Sequence, residues 1–200
     1  MTDNSQELVV LVDEEDGELG VMEKSKVHHT KTPLHRAFSV FLFNKEGKVL
    51  VTKRAKSKKT WGGVWTNSFC GHPVPGETYI QAIHRRAEEE LGIMIYDLRK
   101  ISNYRYRFER DGVVENELCP VYAAKTSEEP KPNKDEVEDY RWMGWEELLK
   151  TLKEDNRLYK DSGLLRRSEG EARWSEWCKE EAILVDRFGP KAHQPMAEIR

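Results

Sequence analysis

The chain has 200 residues, enough for one domain with a single sizeable core. Its 33 basic and 36 acidic side chains leave a net charge of −3, which excludes the broad basic field of a non-specific nucleic-acid binder. No apolar run approaches the ~18 residues of a membrane helix, the start MTDNSQE lacks the basic and apolar regions of a secretory leader, and three cysteines make no disulfide framework, so a reduced, cytoplasmic protein is expected.

Residues 1–7 read as a flexible lead-in and 8–188 as the single domain. The apolar run Leu8 to Val12, the turn-like Asp13 to Gly17 and the run Leu19 to Met22 predict a hairpin. Glu23 to Pro33 is polar and ends at a proline, which favours extended or irregular chain. It carries His28 and His29, with His35 just beyond. Taken singly, each histidine is better explained by surface decoration or hydrogen bonding than by ligation. His35 to Phe43 is apolar on both faces, with Ala37, Phe41 and Phe43 on one and Phe38, Val40 and Leu42 on the other, so it predicts a central strand covered on both sides. Asn44 to Lys48 is a hairpin connection, and Val49 to Lys53 returns. Lys53 to Lys59 is a basic run, either a solvated loop or an anion clamp.

Thr78 to Leu91 predicts a helix capped by Thr78 and stopped at Gly92, with Ile80, Ile83, Ala87 and Leu91 toward the core and Arg86 and Glu90 sharing another face. Ile95 to Phe108 and Val113 to Ala124 each read as one strand. In the second, period two puts Glu115, Glu117 and Cys119 on one face. Two glutamates inside an apolar strand are costly if buried alone, so the strand is either a wet edge or the wall of a cation site. Thr126 to Asp135 is loop-like, Glu138 to Met143 a short strand, and Trp145 to Leu152 opens a helix with Leu148, Leu149 and Leu152 inward. The remainder is helical and charged, with Trp174 and Trp177 standing out, and 189–200 reads as a disordered tail.

Gly71, Glu77, Arg85, Ala87, Glu89, Glu90, Gly92 and Ile93 fall at the spacing of the Nudix box, G-x5-E-x7-R-E-U-x-E-E-x-G-U, with U apolar. The departure is Arg86, which stands where the box has a glutamate. Glutamates on that helix hold Mg²⁺ in Nudix hydrolases, whereas a guanidinium forks onto phosphate oxygens, so the helix reads as holding a diphosphate rather than hydrolysing one. The wider sequence resembles the type I isopentenyl-diphosphate isomerase family from about Leu8 to Trp177. Trp65 to Pro73 (WTNSFCGHP), Glu115 to Pro120 (ENELCP), Arg54 to Lys59 and the pair His28 and His35 carry that resemblance. Lys150 to Gly170 looks like an insertion.

The resemblance implies an α/β (α+β) Nudix-type fold, a mixed sheet sandwiched between helices. It implies an intramolecular isomerase of isoprenoid biosynthesis that turns isopentenyl diphosphate into dimethylallyl diphosphate through a tertiary carbocation. It maps catalysis onto Cys70, Glu117 and Tyr106, and substrate contacts onto Lys24, Arg54, Lys58, Arg86 and Trp177, with Trp174 as the competing tryptophan. It maps a Mn²⁺ or Zn²⁺ site onto His28, His35, His72, Glu115 and Glu117, and a Mg²⁺ shared with the diphosphate onto Glu90. The expected partner is this small-molecule substrate alone, with no nucleic acid or membrane, and the chain is a monomer or a homodimer. The rival readings are a Nudix hydrolase of a nucleotide or prenyl diphosphate and a non-catalytic diphosphate sensor.

Overall fold

The computed structural model describes residues 7–110, 112–161 and 174–189. The expected lead-in at 1–6, the tail at 190–200 and part of the insertion, 162–170, lie outside the described residues. The opening hairpin forms as expected from β1 (Leu8–Val12) and β2 (Glu18–Glu23), paired antiparallel. The segment expected to be irregular begins instead with one helical turn, α1 (Lys24–Val27), which buries Val27.

Three long strands expected from the sequence are each divided. His35 to Phe43 is β3 (His35–Arg36) and β4 (Phe38–Phe43). Ile95 to Phe108 falls into β8 (Tyr96–Ser102) and β9 (Arg105–Arg110). Val113 to Ala124 is β10 (Val113–Leu118) and β11 (Val121–Lys125). At each division the chain crosses from one sheet to another. Pro120 has no N–H to continue a ladder, which ends β10 there. Hydrogen bonds from Ala37 N to Leu118 O (3.0 Å) and from Ser39 N to Pro120 O (3.2 Å) carry the pairing of the two crossing strands through the bend. Apolar periodicity continues across such a bend, so the pattern alone does not reveal it.

The other elements are β5 (Val49–Arg54), β6 (Trp65–Thr66), β7 (Phe69–Gly71), α2 (Tyr79–Leu91), β12 (Val137–Met143), α3 (Trp145–Asp161) and α4 (Glu176–Phe188). One sheet has the order β2-β1-β3-β10-β9. The other has the order β12-β5-β4-β11-β8, with β6 on β5 and β7 on β4. Both are mixed, because β3 runs parallel to β10 and β4 parallel to β11.

Every residue of β4 is buried. Its Ala37-side face, with Phe41 and Phe43, packs under Trp145, Leu148, Cys178, Ala182 and Val185 of α3 and α4. The opposite face, Phe38, Val40 and Leu42, packs under Ala82, Ile83, Ala87 and Leu91 of α2. Ile80, expected in this core, is 59% exposed. The first turn of α2 is covered instead by Tyr79, whose ring lies 6.4 Å from that of Tyr122. Thr78 caps α2 in a reciprocal capping box with Gln81, and Gly92 ends it in the left-handed conformation at φ 62°.

Candidate active site

A cleft of about 610 Å³ opens between the two sheets and the helices α2 and α4, within the size range of small-molecule sites. Strand register assembles its first group. Glu117 on β10 stands opposite His35 on β3 and Tyr106 on β9, so three neighbouring strands present three polar side chains at one level. His28 follows α1, and His72 follows β7. The loop between His28 and His35 is fastened to β10: Thr32 Oγ1 donates to Val114 O (2.7 Å), and Asn116 Nδ2 donates to Thr32 O (3.0 Å).

Ligand atoms of His28, His35, His72 and Glu117 all lie within 4.8 Å of one another, a group that could hold a metal ion. His35 Nδ1 is engaged by Pro33 O at 2.9 Å, which turns Nε2 toward the group and sets the tautomer. The buried Nε2 atoms of His28 and His35 have no hydrogen-bond partner. His28 Nε2 lies 2.8 Å from Glu115 Oε2 without the alignment of a hydrogen bond. Nitrogens that converge without donating to one another fit a shared cation. Glu115 stands outside the four-residue group and reaches it through His28. Burial pulls His72 down to a pKa of about 3, leaving its imidazole neutral. Burial also disfavours the His28 imidazolium, but contact with Glu115 and the charge of Glu117 outweigh it and raise that pKa. For Glu117 the burial penalty is outweighed by His35 and His72, which hold the carboxyl well below its usual range. The Tyr106 hydroxyl donates to Glu117, and burial together with that carboxylate keeps the phenol protonated.

The second group is charged. On α2, Arg86 and Glu90 are one turn apart and ion-paired, and Arg86 also meets Glu136 at 3.3 Å. Lys58 pairs with Glu136, and Lys24 pairs with Glu7 at 2.8 Å. Burial weakens the Glu136 carboxylate less than Arg86 and Lys58 strengthen it, so its pKa is lowered. Arg54 lies over the Trp177 ring, 5.8 Å from its centroid. Arg85, the arginine of the Nudix box, has a different task. It binds Glu77 (2.8 Å) and His72 O (3.2 Å), tying the start of the box to the helix. The basic run divides as well: Arg54, Lys58 and Lys59 line the cleft, while Lys53 and Lys56 pair with Glu138.

Between these groups lies Cys70 on β7, paired in register with Ser39 on β4. Cys70 Sγ donates to Asn67 Oδ1 (3.2 Å) and lies 3.6 Å from Ser39 Oγ. Burial pushes the thiol pKa up. Trp177 of α4 lines the cleft, its ring stacked nearly parallel to that of Tyr106 (12°) at a centroid distance of 6.3 Å. Trp174 is buried against Trp65 in the core, so of the two tryptophans Trp177 is the one that lines the cleft. His29 Nδ1 accepts from Lys31 N within a turn.

The structure thus places all the sequence-predicted site residues at or beside one cleft. It adds Glu7, Glu136, Ser39 and Glu181. Glu136 follows a charged loop and bears no mark in the sequence. Glu181 does bear one, because Cys178, Glu181, Ala182 and Val185 follow the i, i+3, i+4, i+7 spacing of a buried helix face.

The NUDIX domain family matches residues 33–163. The chain is 51% identical over 148 residues to an isopentenyl-diphosphate Delta-isomerase of Klebsiella pneumoniae (strain 342), covering 73% of this chain and 80% of that protein. It is 42% identical over 190 residues to an isopentenyl-diphosphate Delta-isomerase of Mycolicibacterium vanbaalenii, covering 93% and 95%. A crystal structure of a Deinococcus radiodurans protein superposes over 92% of this chain and 99% of its own with a TM-score of 0.64 at 22% identity, a likeness of fold.

Proposed function

The chain belongs to the type I isopentenyl-diphosphate Delta-isomerase family of Nudix-fold proteins, and we propose that Cys70 and Glu117 exchange the protons by which it converts isopentenyl diphosphate into dimethylallyl diphosphate. The observation that carries this reading is that Cys70 and Glu117 line one cleft together with the cations Lys24, Arg54, Lys58 and Arg86, which suit a diphosphate.

The reaction adds a proton at C4 of an unactivated alkene and removes one from C2, with positive charge developing at C3. It needs an acid and a base fixed beside a flat hydrocarbon, and no water to capture the cation. Lys24, Arg54, Lys58 and Arg86 hold the diphosphate, and Glu90 is placed to share a Mg²⁺ with it. Cys70 and Glu117 serve the hydrocarbon end. Because the reaction is reversible, each acts as acid in one direction and as base in the other. Tyr106 holds Glu117 by its hydroxyl and can pass it a proton. Trp177 offers its face to the developing cation, worth about 2 kcal/mol when desolvated, and shields it from water.

His28, His35, His72 and Glu117, with Glu115 beside His28, would hold a Mn²⁺ or Zn²⁺, ions suited to mixed imidazole and carboxylate donors. Bound there, such an ion supplies positive charge that fixes the Glu117 carboxylate and tunes its proton affinity. The three unbridged cysteines suit a reducing compartment such as the cytoplasm. The hydrolase reading is disfavoured by Arg86, a buried cation at a place where the hydrolytic helix needs a carboxylate.

Cys70→Ala and Glu117→Gln test the proposal. Each lowers the isomerisation rate by at least ~10²-fold while substrate still binds. Near-normal turnover in either variant removes that residue from the pair, and release of phosphate without isomer from the unaltered protein would return the hydrolase reading.

A further inference from the structure

Glu181 is fully buried on α4, and among the described residues no cation pairs with it. Its Oε2 lies 2.5 Å from Ser39 Oγ, and its Oε1 lies 4.0 Å from Cys119 Sγ. Ionised and unpaired, such a carboxyl would carry a desolvation cost that protonation removes. Burial accordingly raises its pKa well above the usual range, more than its contact with Ser39 lowers it. Its titratable neighbours Cys119, Cys178, Cys70, Tyr104, Glu117 and Glu180 bring no positive charge, and the two glutamates favour the neutral acid further.

The donors and acceptors around Ser39 can then be assigned one by one. Asn67 Nδ2 is within hydrogen-bond reach of the backbone oxygens of Val40 (3.2 Å) and Phe69 (3.3 Å), which fixes the orientation of the amide. The same Nδ2 donates to Ser39 Oγ at 2.5 Å. If Glu181 is protonated, Ser39 accepts from it as well, and the one remaining direction for the Ser39 proton is Cys70 Sγ at 3.6 Å. If Glu181 were ionised, Ser39 would donate to it and the sulfur would lose that donor.

We propose that Glu181 is a positioning residue that acts as a buried neutral hydrogen-bond donor to Ser39, turning the Ser39 hydroxyl onto Cys70 Sγ. The thiol meanwhile donates to Asn67 Oδ1, so the sulfur is held from two sides. When Cys70 gives up its proton, the Ser39 donor already faces the negative charge that forms on sulfur and needs no reorganisation. Because α4 carries both Glu181 and Trp177, its docking brings the tryptophan to the cleft and sets the thiol in the same step. The inference rests on Cys70 being one of the proton-transfer groups.

Glu181→Gln and Glu181→Leu separate the alternatives, because an amide can donate to Ser39 and an isobutyl group cannot. In the metal-loaded protein, Leu lowers kcat roughly tenfold, the size of one hydrogen bond made in the transition state, with KM unchanged. Gln restores what Leu loses. Ser39→Ala reproduces the Leu effect from the other end of the contact and serves if Leu prevents folding. The infrared difference between the unaltered protein and Glu181→Gln at neutral pH shows the carbonyl band of a protonated carboxylic acid. Gln as impaired as Leu, Leu and Ser39→Ala both at full activity, or a carboxylate band in place of the acid would each overturn the proposal. Cys70→Ala distinguishes failure of the premise: if that variant keeps its activity, the role of Cys70 itself is wrong, whereas an inactive Cys70→Ala leaves the Glu181 and Ser39 results to bear on this inference alone.

Discussion

Arg86 is the residue at which this chain parts from a hydrolytic Nudix helix. It is almost fully buried, and Glu90 and Glu136 raise its pKa against the desolvation penalty, so the guanidinium stays charged. A buried cation held among three carboxylates, those of Glu89, Glu90 and Glu136, can exchange one of them for a phosphate oxygen, which a solvated lysine would do with less geometric selectivity. Arg86→Glu reverses that charge and sets four carboxylates together. Its expected outcome is a rise in KM and weaker inhibition by inorganic diphosphate, by at least ~30-fold, the low end for removing one partner of a buried charge pair. Unchanged KM and inhibition would show that Arg86 has no part in anchoring the substrate. Arg86 and the glutamates at 115 and 117 are visible in the sequence because each breaks a pattern, the box in one case and an apolar strand in the other. Glu136 breaks none, since it follows a stretch that is charged throughout. Its partners come from α2 and the Arg54–Lys59 loop, which only the fold brings to it.

At the scale of elements, β7 and α2 meet so closely that Gly71 has no room for a side chain. A Cβ there would lie 2.9 Å from Arg86 Cγ and 2.9 Å from Phe38 Cζ. Gly71→Ala is therefore expected to destabilise the fold by about 1–3 kcal/mol, as overpacking does, and to raise KM by displacing Arg86. Denaturant unfolding and steady-state kinetics check both effects, and a variant with neither would mean that the contact is slack. The helix itself is legible in advance, because the cap at Thr78, the stop at Gly92 and the apolar spacing agree. The divisions of the three long strands are not. Ala37 and Cys119 continue the apolar run on either side, and the chain changes sheet there because its neighbours bend with it, a tertiary cause that periodicity does not record. Pro120 is the one local sign.

For the whole molecule, the histidine group spans the junction of the two sheets. His35 and Glu117 belong to the first, and His72 follows β7 of the second. An ion held by all of them would join the sheets and stabilise the fold by mass action. At ~1,000 times its dissociation constant the gain is about 4 kcal/mol. Adding Mn²⁺ to chelator-treated protein should raise the melting temperature, and His72→Ala should reduce the gain. No shift in the unaltered protein would deny the site. Acid acts in the opposite sense. Arg85 holds Glu77 below the ordinary carboxylate pKa, chiefly by hydrogen bonding, and Lys24 outweighs burial to do the same for Glu7. The folded chain therefore binds fewer protons than the unfolded chain in this range. The stability these groups add is present above the unfolded carboxylate pKa of about 4.3 and is lost as pH falls through the lower folded values. Urea midpoints measured against pH should show that decline, and Glu77→Gln should flatten it.

We propose that Cys70 and Glu117 move protons at the hydrocarbon end of a substrate anchored by its diphosphate. The most direct test is to incubate the protein with isopentenyl diphosphate and Mg²⁺ in D₂O and follow the carbon positions by NMR. Dimethylallyl diphosphate should appear with deuterium in the methyl group derived from C4, and reversal should carry deuterium into C2. Both signals should vanish in Cys70→Ala and in Glu117→Gln. Isomer formed without solvent deuterium, or labelling that persists when either side chain is removed, would rule out proton transfer by this pair.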